Sequence, residues 1–348
     1  MKDLFPLPFY TEGGFLCHTN SVNYDSFIFR CLELADRGRG SVGINPLVGS
    51  LLVRKGEVVA EGWHRHFGGD HAERELIKKF DQGLEQEDVL YVNLEPCCHH
   101  SKTPPCTDLI IKSGIKQVVY GMQDPNPEVA GQGIAALRAA GITVTGPVLP
   151  ELCRRHNRGF VSLHEKGRPY ITLKRAQTKD GRVANDDGSP LTITSEEQNQ
   201  WSHQHLRAKH DAILVGVQTV ISDDPQLTVR LMNKKVDQTF PQPLVIIFDP
   251  HLRIPAEAKV VKEGTVIITD REAAQKREEE LFKTGARILR IPTQNGYFDW
   301  NSLWSMLTTP EEDFYGISSI LVEGGQKTGD AFRNAGQYDE EVTLVNSF

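Results

Sequence analysis

The alternation of hydrophobic and polar residues in the first half of the chain predicts short strands separated by helices. Apolar residues recur at helical spacing from Tyr24, and Gly38 ends that helix. Strand patterns follow at 47–53 and 57–63, joined by a turn. Further helices are predicted at 71–80, 107–114 and 133–141, and further strands at 89–94, 116–121 and 142–146. Strands that alternate with helices predict a three-layer α/β/α domain.

A second alternating pattern begins after a polar helical connector at 151–169, which ends in Gly167 and Pro169. Strands are predicted at 170–177, 212–216, 243–249, 265–270, 287–291 and 319–325, and helices at 195–208, 272–285 and 300–307. We therefore expect two α/β domains. Residues 1–20 show no period and are left unassigned, and the domains are placed at 21–165 and 166–348.

Composition narrows the class of protein. A length of 348 residues with 39% hydrophobic and 24% charged residues is typical of a globular protein with two domains. The formal net charge of −7, without a basic run, argues against general nucleic-acid binding. No apolar run approaches the roughly 18 residues of a membrane span. The N-terminus does not look like a signal peptide. Six cysteines are too few for a disulfide scaffold, which favours a reducing, cytoplasmic compartment.

Candidate chemistry concentrates in two stretches, HAE at 71–73 and EPCCHHSKTPPC at 95–106. His71 and Cys106 lie at predicted helix starts, and Cys97 follows a predicted strand. Zinc with three protein ligands keeps a position for water, whose pKa it lowers towards neutrality. Helix N-termini favour the thiolate and the anionic water. A carboxylate outside the metal is then needed to move protons, and Glu73 suits that role.

The spacing leaves alternatives open. Zinc deaminases of nucleobases have the signature H-x-E…P-C-x-x-C, whereas eight residues separate Cys97 from Cys106 here. A two-residue spacing would favour a deaminase of another nucleoside or of tRNA, and it is absent. If Cys98 or His99 filled the water position, the site would be a closed, non-catalytic zinc module.

HAE, EPCxHHxxTPPC and MQDPNPxVAGxG together resemble the deaminase half of the bifunctional riboflavin-biosynthesis deaminase/reductases, whose own cysteine spacing is eight residues. The resemblance runs from about residue 24 to 345. It implies a cytidine-deaminase-like fold, and one zinc ion held by His71, Cys97 and Cys106. It also implies a proton-shuttle role for Glu73, and Cys98 stands where the family usually has serine.

The same resemblance implies substrate contacts in the first domain. Asn45 and His64 match positions that contact the pyrimidine and ribose. Lys102 and Asn126 match positions near the substrate, and a lysine suits the 5′-phosphate dianion. The glycines of AGQGIAA do not directly follow a buried strand, so we interpret them as a helix entry rather than a dinucleotide fingerprint.

Three stretches of the second half, TLKRAQTKDGRVA, DAILVGVQTVISDDPQLTVR and ILVEGGQKTGDAF, resemble the reductase half of the family. Its fold is like dihydrofolate reductase, and it uses NADPH to convert the ribosyl group to ribityl. A glycine-rich turn between strand and helix is a ready anion site for a cofactor phosphate. The implied cofactor contacts are Ala176, Thr219, Asp223, Gly325, Gln326, Lys327, Thr328, Gly329, Asp330 and Ala331. The implied substrate contacts are Arg207, Leu227, Arg230 and Glu323.

Two departures from the family bear on the reductase. The family often has a tryptophan near the cofactor, and GSPLTITSEE has none. The chain ends at TLVNSF in a predicted strand, where family members usually continue, so the reductase is expected to be weak, inactive or completed by a partner subunit if its sheet is incomplete. The expected function is deamination of 2,5-diamino-6-ribosylamino-4(3H)-pyrimidinone 5′-phosphate and then reduction to 5-amino-6-(5-phosphoribitylamino)uracil, in a homo-oligomer. The alternative is a deaminase of another nucleoside or nucleotide with an inactive reductase-like domain.

Overall fold

The computed structural model describes residues 24–99, 104–182, 193–230, 242–294 and 296–345. The first sheet has the strand order β2-β1-β3-β4-β5. Its strands are β1 (Gly49–Arg54), β2 (Glu57–Trp63), β3 (Val89–Leu94), β4 (Gln117–Met122) and β5 (Thr143–Thr145). Strand β1 runs antiparallel to β2 and β3, whereas β3, β4 and β5 are parallel. The functional side chains can therefore gather where the parallel strands end.

Helices cover both faces of this sheet. They are α1 (Tyr24–Ala35), α2 (Ala72–Lys79), α3 (Cys106–Ser113), α4 (Gln132–Ala139), α5 (Pro150–His156) and α6 (Arg158–Lys166). Successive residues of β1 point to opposite faces. Leu51 packs with Ile28 of α1, and Leu52 packs in a separate core with Leu76 of α2 and Ile110 of α3. The predicted three-layer arrangement is confirmed.

The second domain is built on a seven-stranded sheet in the order β10-β9-β8-β7-β13-β6-β14. Every neighbouring pair in it is parallel. Its strands are β6 (Tyr170–Gln177), β7 (Ala212–Gly216), β8 (Leu244–Phe248), β9 (Val266–Asp270), β10 (Arg287–Ile291), β13 (Ser319–Glu323) and β14 (Glu340–Val345). A small hairpin pairs β11 (Thr293–Gln294) with β12 (Tyr297–Phe298).

The helices of this domain are α7 (Glu196–His205), α8 (Val217–Asp223), α9 (Gln275–Phe282), α10 (Trp300–Thr308) and α11 (Gln326–Asn334). They cover both faces: Leu214 packs with Trp304 and Phe332, while Ile213 packs with Leu281. A 3-10 turn, Arg207–Lys209, follows α7 and leads into β7.

Two predictions from the pattern were wrong in detail. No helix was predicted between the strand at 212–216 and the strand at 243–249, yet residues 217–223 form α8, whose Val217 and Val220 are buried. Their β-branched residues are weak helix formers, so tertiary packing decides the conformation. The connector, expected as one helix, is broken at Asn157 into α5 and α6. The predicted domain boundary at residue 166 falls at the end of α6 and remains our proposal.

The two domains touch at Tyr315, which contacts the segment after α1 and the segment after β2. The backbone N–H of Ile44 donates to the carbonyl of Tyr315 at 3.1 Å. The ring of Phe67 stacks on that of Tyr315 with centroids 5.0 Å apart. None of the helices within the described ranges is long and apolar enough to cross a membrane. The unassigned residues 1–20 and residues 188–192 of the stretch lacking tryptophan lie outside the described residues.

Candidate active site

Three side chains with soft donor atoms converge at one end of the first sheet. His71 is the N-cap residue of α2, Cys97 follows β3, and Cys106 is the first residue of α3. His71 Nδ1 lies 3.5 Å from Cys97 Sγ and 3.4 Å from Cys106 Sγ. In the part of the chain that the structure describes, this is the one group of three or more His, Cys, Asp or Glu residues that could hold a metal ion, with all donor atoms within 4.8 Å of each other.

These distances fit a zinc ion. Zn–N and Zn–S bonds of about 2.05 and 2.3 Å at a tetrahedral angle place nitrogen and sulfur about 3.6 Å apart. The start of α3 also makes two hydrogen bonds to Cys97. The N–H of Cys106 donates to the Cys97 Sγ at 3.3 Å, and the N–H of Thr107 donates to the Cys97 carbonyl at 3.1 Å. The hydrogen bond between the Cys106 and Cys97 side chains lowers the pKa of Cys97, which favours a thiolate ligand.

The two neighbouring candidates, Cys98 and His99, do not join the group. Cys98 is half-buried, and burial raises the pKa of its thiol. His99 is exposed. The described residues therefore provide three donors, the number typical of catalytic zinc sites, and not the four of a closed module.

Glu73 lies in the first turn of α2 beside this group. Its side chain is buried, with 3% of the residue exposed. Burial raises the pKa of Glu73, and the neighbouring Cys97 raises it further. A carboxyl group held near, but outside, the donor set is suited to accepting and returning a proton.

The predicted pyrimidine contacts Asn45 and His64 form a pair next to the metal group. His64 Nδ1 lies 3.0 Å from the carbonyl oxygen of Asp70, so Nδ1 carries the hydrogen. His64 Nε2 consequently accepts from Asn45 Nδ2 at 3.0 Å. Burial lowers the pKa of His64, which keeps the ring neutral. The ring packs edge-on against His71 with centroids 5.7 Å apart.

Two buried asparagines that the sequence interpretation missed hold the segment carrying Asn45. Asn93, in β3, accepts from the N–H of Gly49 at 2.8 Å and donates to the carbonyl of Leu47 at 2.9 Å. Asn157 accepts from the N–H of Leu47 at 2.8 Å and donates to its carbonyl at 3.0 Å. Asn93 had a detectable signal, because it is a polar residue within the apolar run VLYVNL.

Glu95 links the Cys97 segment to the loop that carries Asn126. Its buried carboxylate accepts from the backbone N–H groups of Asp124, Gly131 and Ile134 at 3.2, 3.0 and 3.2 Å. The Asn126 side-chain oxygen accepts from a backbone N–H two residues on at 3.0 Å, so it shapes this loop. The glycines of AGQGIAA begin α4, as interpreted from the sequence. Lys102 lies outside the described residues.

The second domain has a glycine turn where β13 meets α11. Gly324 and Gly325 have φ of 70° and 66°, in the left-handed region that favours glycine. A Cβ on either would lie 3.2–3.3 Å from the Thr219 side chain, and a Cβ on Gly216 would lie 2.5 Å from Thr328 Oγ1. The glycines therefore allow the turn to pack closely on these threonines, and the turn leads into the N-terminus of α11, where backbone N–H groups favour a phosphate.

The other predicted cofactor residues are placed differently around this turn. Gln326, Lys327, Thr328, Gly329, Asp330 and Ala331 form the first part of α11. Ala176 lies near the end of β6, at the same edge of the sheet as the turn. Asp223 is the last residue of α8, roughly 9 Å along the helix axis from its first residue.

The predicted substrate contacts Arg207 and Glu323 form a bidentate ion pair of 2.9 and 2.6 Å. Arg207 Nη1 also donates to the carbonyl of Thr228 at 3.0 Å, so its fork is bound to protein rather than open. Leu227 is buried, with φ of 49°. Arg230 is exposed, and its backbone N–H donates to His203 Nδ1 at 2.9 Å. The pair therefore holds the loop that carries Leu227 and Arg230.

Comparison with known proteins agrees with both halves. The family model of the cytidine and deoxycytidylate deaminase zinc-binding region matches residues 22–122, and that of the RibD C-terminal domain matches residues 169–348. The riboflavin biosynthesis protein RibD of Aquifex aeolicus is 40% identical over 317 residues, covering 90% of this chain and 84% of the relative. The chain belongs to the RibD family.

Other RibD proteins extend the agreement. RibD of Escherichia coli is 36% identical, covering 92% of this chain and 86% of its own. The structure of Acinetobacter baumannii RibD superposes with a TM-score of 0.78 at 33% identity, covering 94% of this chain and 88% of that one. A Thermotoga maritima structure, a diaminohydroxyphosphoribosylaminopyrimidine deaminase/5-amino-6-(5-phosphoribosylamino)uracil reductase, has a TM-score of 0.74 at 35% identity, covering 92% and 86%.

Membership of the RibD family confirms the predicted fold class, a cytidine-deaminase-like domain followed by a dihydrofolate-reductase-like domain. The chain is a bifunctional enzyme of riboflavin biosynthesis, with a deaminase and a reductase domain. Zinc belongs to the deaminase domain and NADPH to the reductase domain.

Proposed function

We propose that the first domain deaminates 2,5-diamino-6-ribosylamino-4(3H)-pyrimidinone 5′-phosphate. We also propose that the second domain then reduces the ribosyl product to 5-amino-6-(5-phosphoribitylamino)uracil with NADPH. The observation that carries the proposal is the three-donor group of His71, Cys97 and Cys106 with the buried Glu73 beside it. The name of the Thermotoga maritima relative, which states both activities, supports the choice of substrate.

In the deamination, His71, Cys97 and Cys106 would hold zinc, which would supply a water of lowered pKa. Glu73 takes one proton from the attacking water and passes it to the ring nitrogen. It then takes the second proton from the hydroxyl formed on the ring carbon and passes it to the amino group, which leaves as ammonia when the carbon–nitrogen bond breaks. Asn45 donates one amide hydrogen to His64. Its side-chain carbonyl oxygen and its second amide hydrogen remain for contacts with the pyrimidine.

In the reduction, bound NADPH would provide a hydride for the sugar C1, while the bond from C1 to the ring oxygen opens and that oxygen gains a proton. The glycine turn at Gly324 and Gly325 offers backbone N–H groups to a cofactor phosphate, and Thr219 faces the same space. The Arg207–Glu323 pair shapes the substrate side, where Arg230 presents its positive charge. Ala176 and Leu227 contribute apolar contacts, and α11 and Asp223 line the cofactor side.

Several finer features belong to the same proposal. Lys102 is assigned to the 5′-phosphate and Asn126 to the substrate, because they match the family motif. The enzyme acts in the cytoplasm as a homo-oligomer. It takes a small molecule rather than nucleic acid, in keeping with a net charge of −7 and no basic run.

The test is incubation of the purified chain with the diaminopyrimidine phosphate, with and without NADPH, while ammonia and NADPH oxidation are followed separately. Both signals are expected, with ammonia released first. Ammonia without NADPH oxidation would favour a deaminase with an inactive reductase-like domain. No ammonia from this substrate, but ammonia from another nucleotide, would overturn the substrate assignment.

Glu73→Gln separates the two reactions. The amide keeps the shape of the side chain but cannot carry the proton, so ammonia release should fall by at least 100-fold, within the roughly 10²–10⁴-fold range of general acid–base catalysis. The zinc content and the NADPH oxidation on deaminated substrate should remain at the wild-type level. Loss of both activities in this variant would contradict two independent sites.

A further inference from the structure

A polar cluster, partly exposed except for the buried His210, joins the two domains. It consists of Asp36, Arg39, Arg158, Lys209 and His210, and we name it the junction. Asp36 follows α1 and forms ion pairs with Arg39 at 2.7 Å and with Lys209 Nζ at 2.6 Å. Arg39 Nη1 and Arg158 Nη2 both donate to the backbone carbonyl of Lys209 at 3.4 Å. Two guanidinium groups of the deaminase domain therefore hydrogen-bond to one backbone carbonyl of the reductase domain.

His210 adds hydrogen bonds to the same stretch of backbone. Its Nδ1 donates to the carbonyl of Leu206 at 2.7 Å. Its Nε2 accepts from the Thr172 hydroxyl at 2.8 Å and from Arg158 Nη2 at 3.1 Å. The junction thus holds the backbone at both ends of the segment from Leu206 to Lys209.

The same segment carries Arg207 towards the reductase site. Arg207 binds Glu323, at the end of β13, and the carbonyl of Thr228. The segment is a single 3-10 turn, which has too few internal hydrogen bonds to keep its shape unaided. The position of the Arg207 side chain therefore depends on what holds the turn from the other side.

We propose that Arg158 and Arg39 are positioning residues for the reductase: through the Lys209 carbonyl they hold the turn that carries Arg207. The deaminase side of the chain thereby completes the substrate side of the reductase domain. The inference rests on the proposed reductase function, and it gives the fusion of the two domains a structural role beyond supplying one reaction after another.

The test compares Arg158→Met and Arg39→Met with Arg154→Met in the full chain. Arg154 is the matched control, because it forms an exposed ion pair with Glu165 on the same connector. With deaminated substrate and NADPH, Arg158→Met should raise KM about tenfold, the loss expected for a hydrogen bond from a charged group. Its kcat and its ammonia release should stay within about twofold of wild type. Arg39→Met should show the same pattern to a smaller degree, since Arg39 contacts the turn only at the carbonyl.

Arg158→Lys provides a partial rescue. A lysine keeps the charge, but its flexible ammonium lacks the fixed orientation from which the planar guanidinium directs Nη2 at both the Lys209 carbonyl and His210. KM should therefore lie between wild type and Arg158→Met. A KM unchanged in both Met variants would overturn the inference. An equal fall in ammonia release and NADPH oxidation would also overturn it, because that pattern indicates general loss of folding.

Hydrogen–deuterium exchange makes the test independent of activity. Exchange at 206–211 and 226–230 should be faster in Arg158→Met than in wild type and Arg154→Met, because the turn and the loop it holds are released. Unchanged exchange there would overturn the inference whatever the kinetics. Absence of NADPH oxidation by the wild type would overturn the proposed reductase function, and the exchange result would still decide whether Arg158 holds the turn.

Discussion

The break between α5 and α6 makes a quantitative prediction about the deaminase site. Asn157 binds both backbone groups of Leu47, which lies two residues after Asn45. In Asn157→Ala the carbonyl of Leu47 keeps its hydrogen bond from Asn93 at 2.9 Å. The N–H of Leu47 loses the acceptor that Asn157 provides. The substitution therefore lowers the free energy of unfolding mainly by leaving one backbone N–H unpaired in the interior.

Leaving a buried donor unsatisfied costs about 1–3 kcal/mol. Leu47 is 8% exposed, so water can reach little of the segment, and we expect the first domain to lose about 2 kcal/mol of unfolding free energy. Asn157→Asp should lose at least as much at neutral pH. One oxygen still accepts from Leu47 N–H, but the other turns negative charge towards the Leu47 carbonyl.

The assay is urea unfolding together with the KM for ammonia release. A loosened Leu47 should displace Asn45 and raise KM about fivefold to tenfold, equivalent to about 1–1.4 kcal/mol of substrate binding. NADPH oxidation on deaminated substrate serves as the internal control and should not change. Wild-type stability together with wild-type KM in Asn157→Ala would refute the reasoning that this side chain holds the segment.

Three further outcomes are expected. Gly133→Ala would drive its Cβ into the carbonyl oxygen of Pro96, at an overpacking cost of about 1–3 kcal/mol, so zinc should be lost to a chelator faster than from wild type. Burial alone would raise the pKa of Asp339, but Arg168, at 2.6 and 3.0 Å, lowers it. Its stabilisation is therefore full above the ordinary aspartate pKa of about 3.9 and disappears as pH falls through the lower folded-state pKa. Urea unfolding should show Asp339→Asn less stable than wild type at pH 7, with the gap closing in acid. Cys98→Ser should retain wild-type zinc by metal analysis; a loss would contradict the three-donor site.

The sequence by itself determined the layers and predicted the three candidate metal ligands that the structure brings together. The periods of apolar residues report which face of each element is buried, and they predicted nearly all the strands and both domains. His71, Cys97 and Cys106 could be found because each lies at the end of an element, where a side chain is free to face a common centre. The residue types also indicated a zinc site, since thiolate and imidazole are the ligands that zinc prefers.

Only the tertiary structure decided how polar side chains support those residues. Asn157 is bonded to Leu47, 110 residues away, and Arg207 is paired with Glu323, 116 residues away. Neither pairing follows from the local pattern, because a buried polar group takes its partner from whichever chain segment packs against it. Local periodicity records burial, whereas hydrogen-bond partners depend on the relative placement of elements that are distant in sequence.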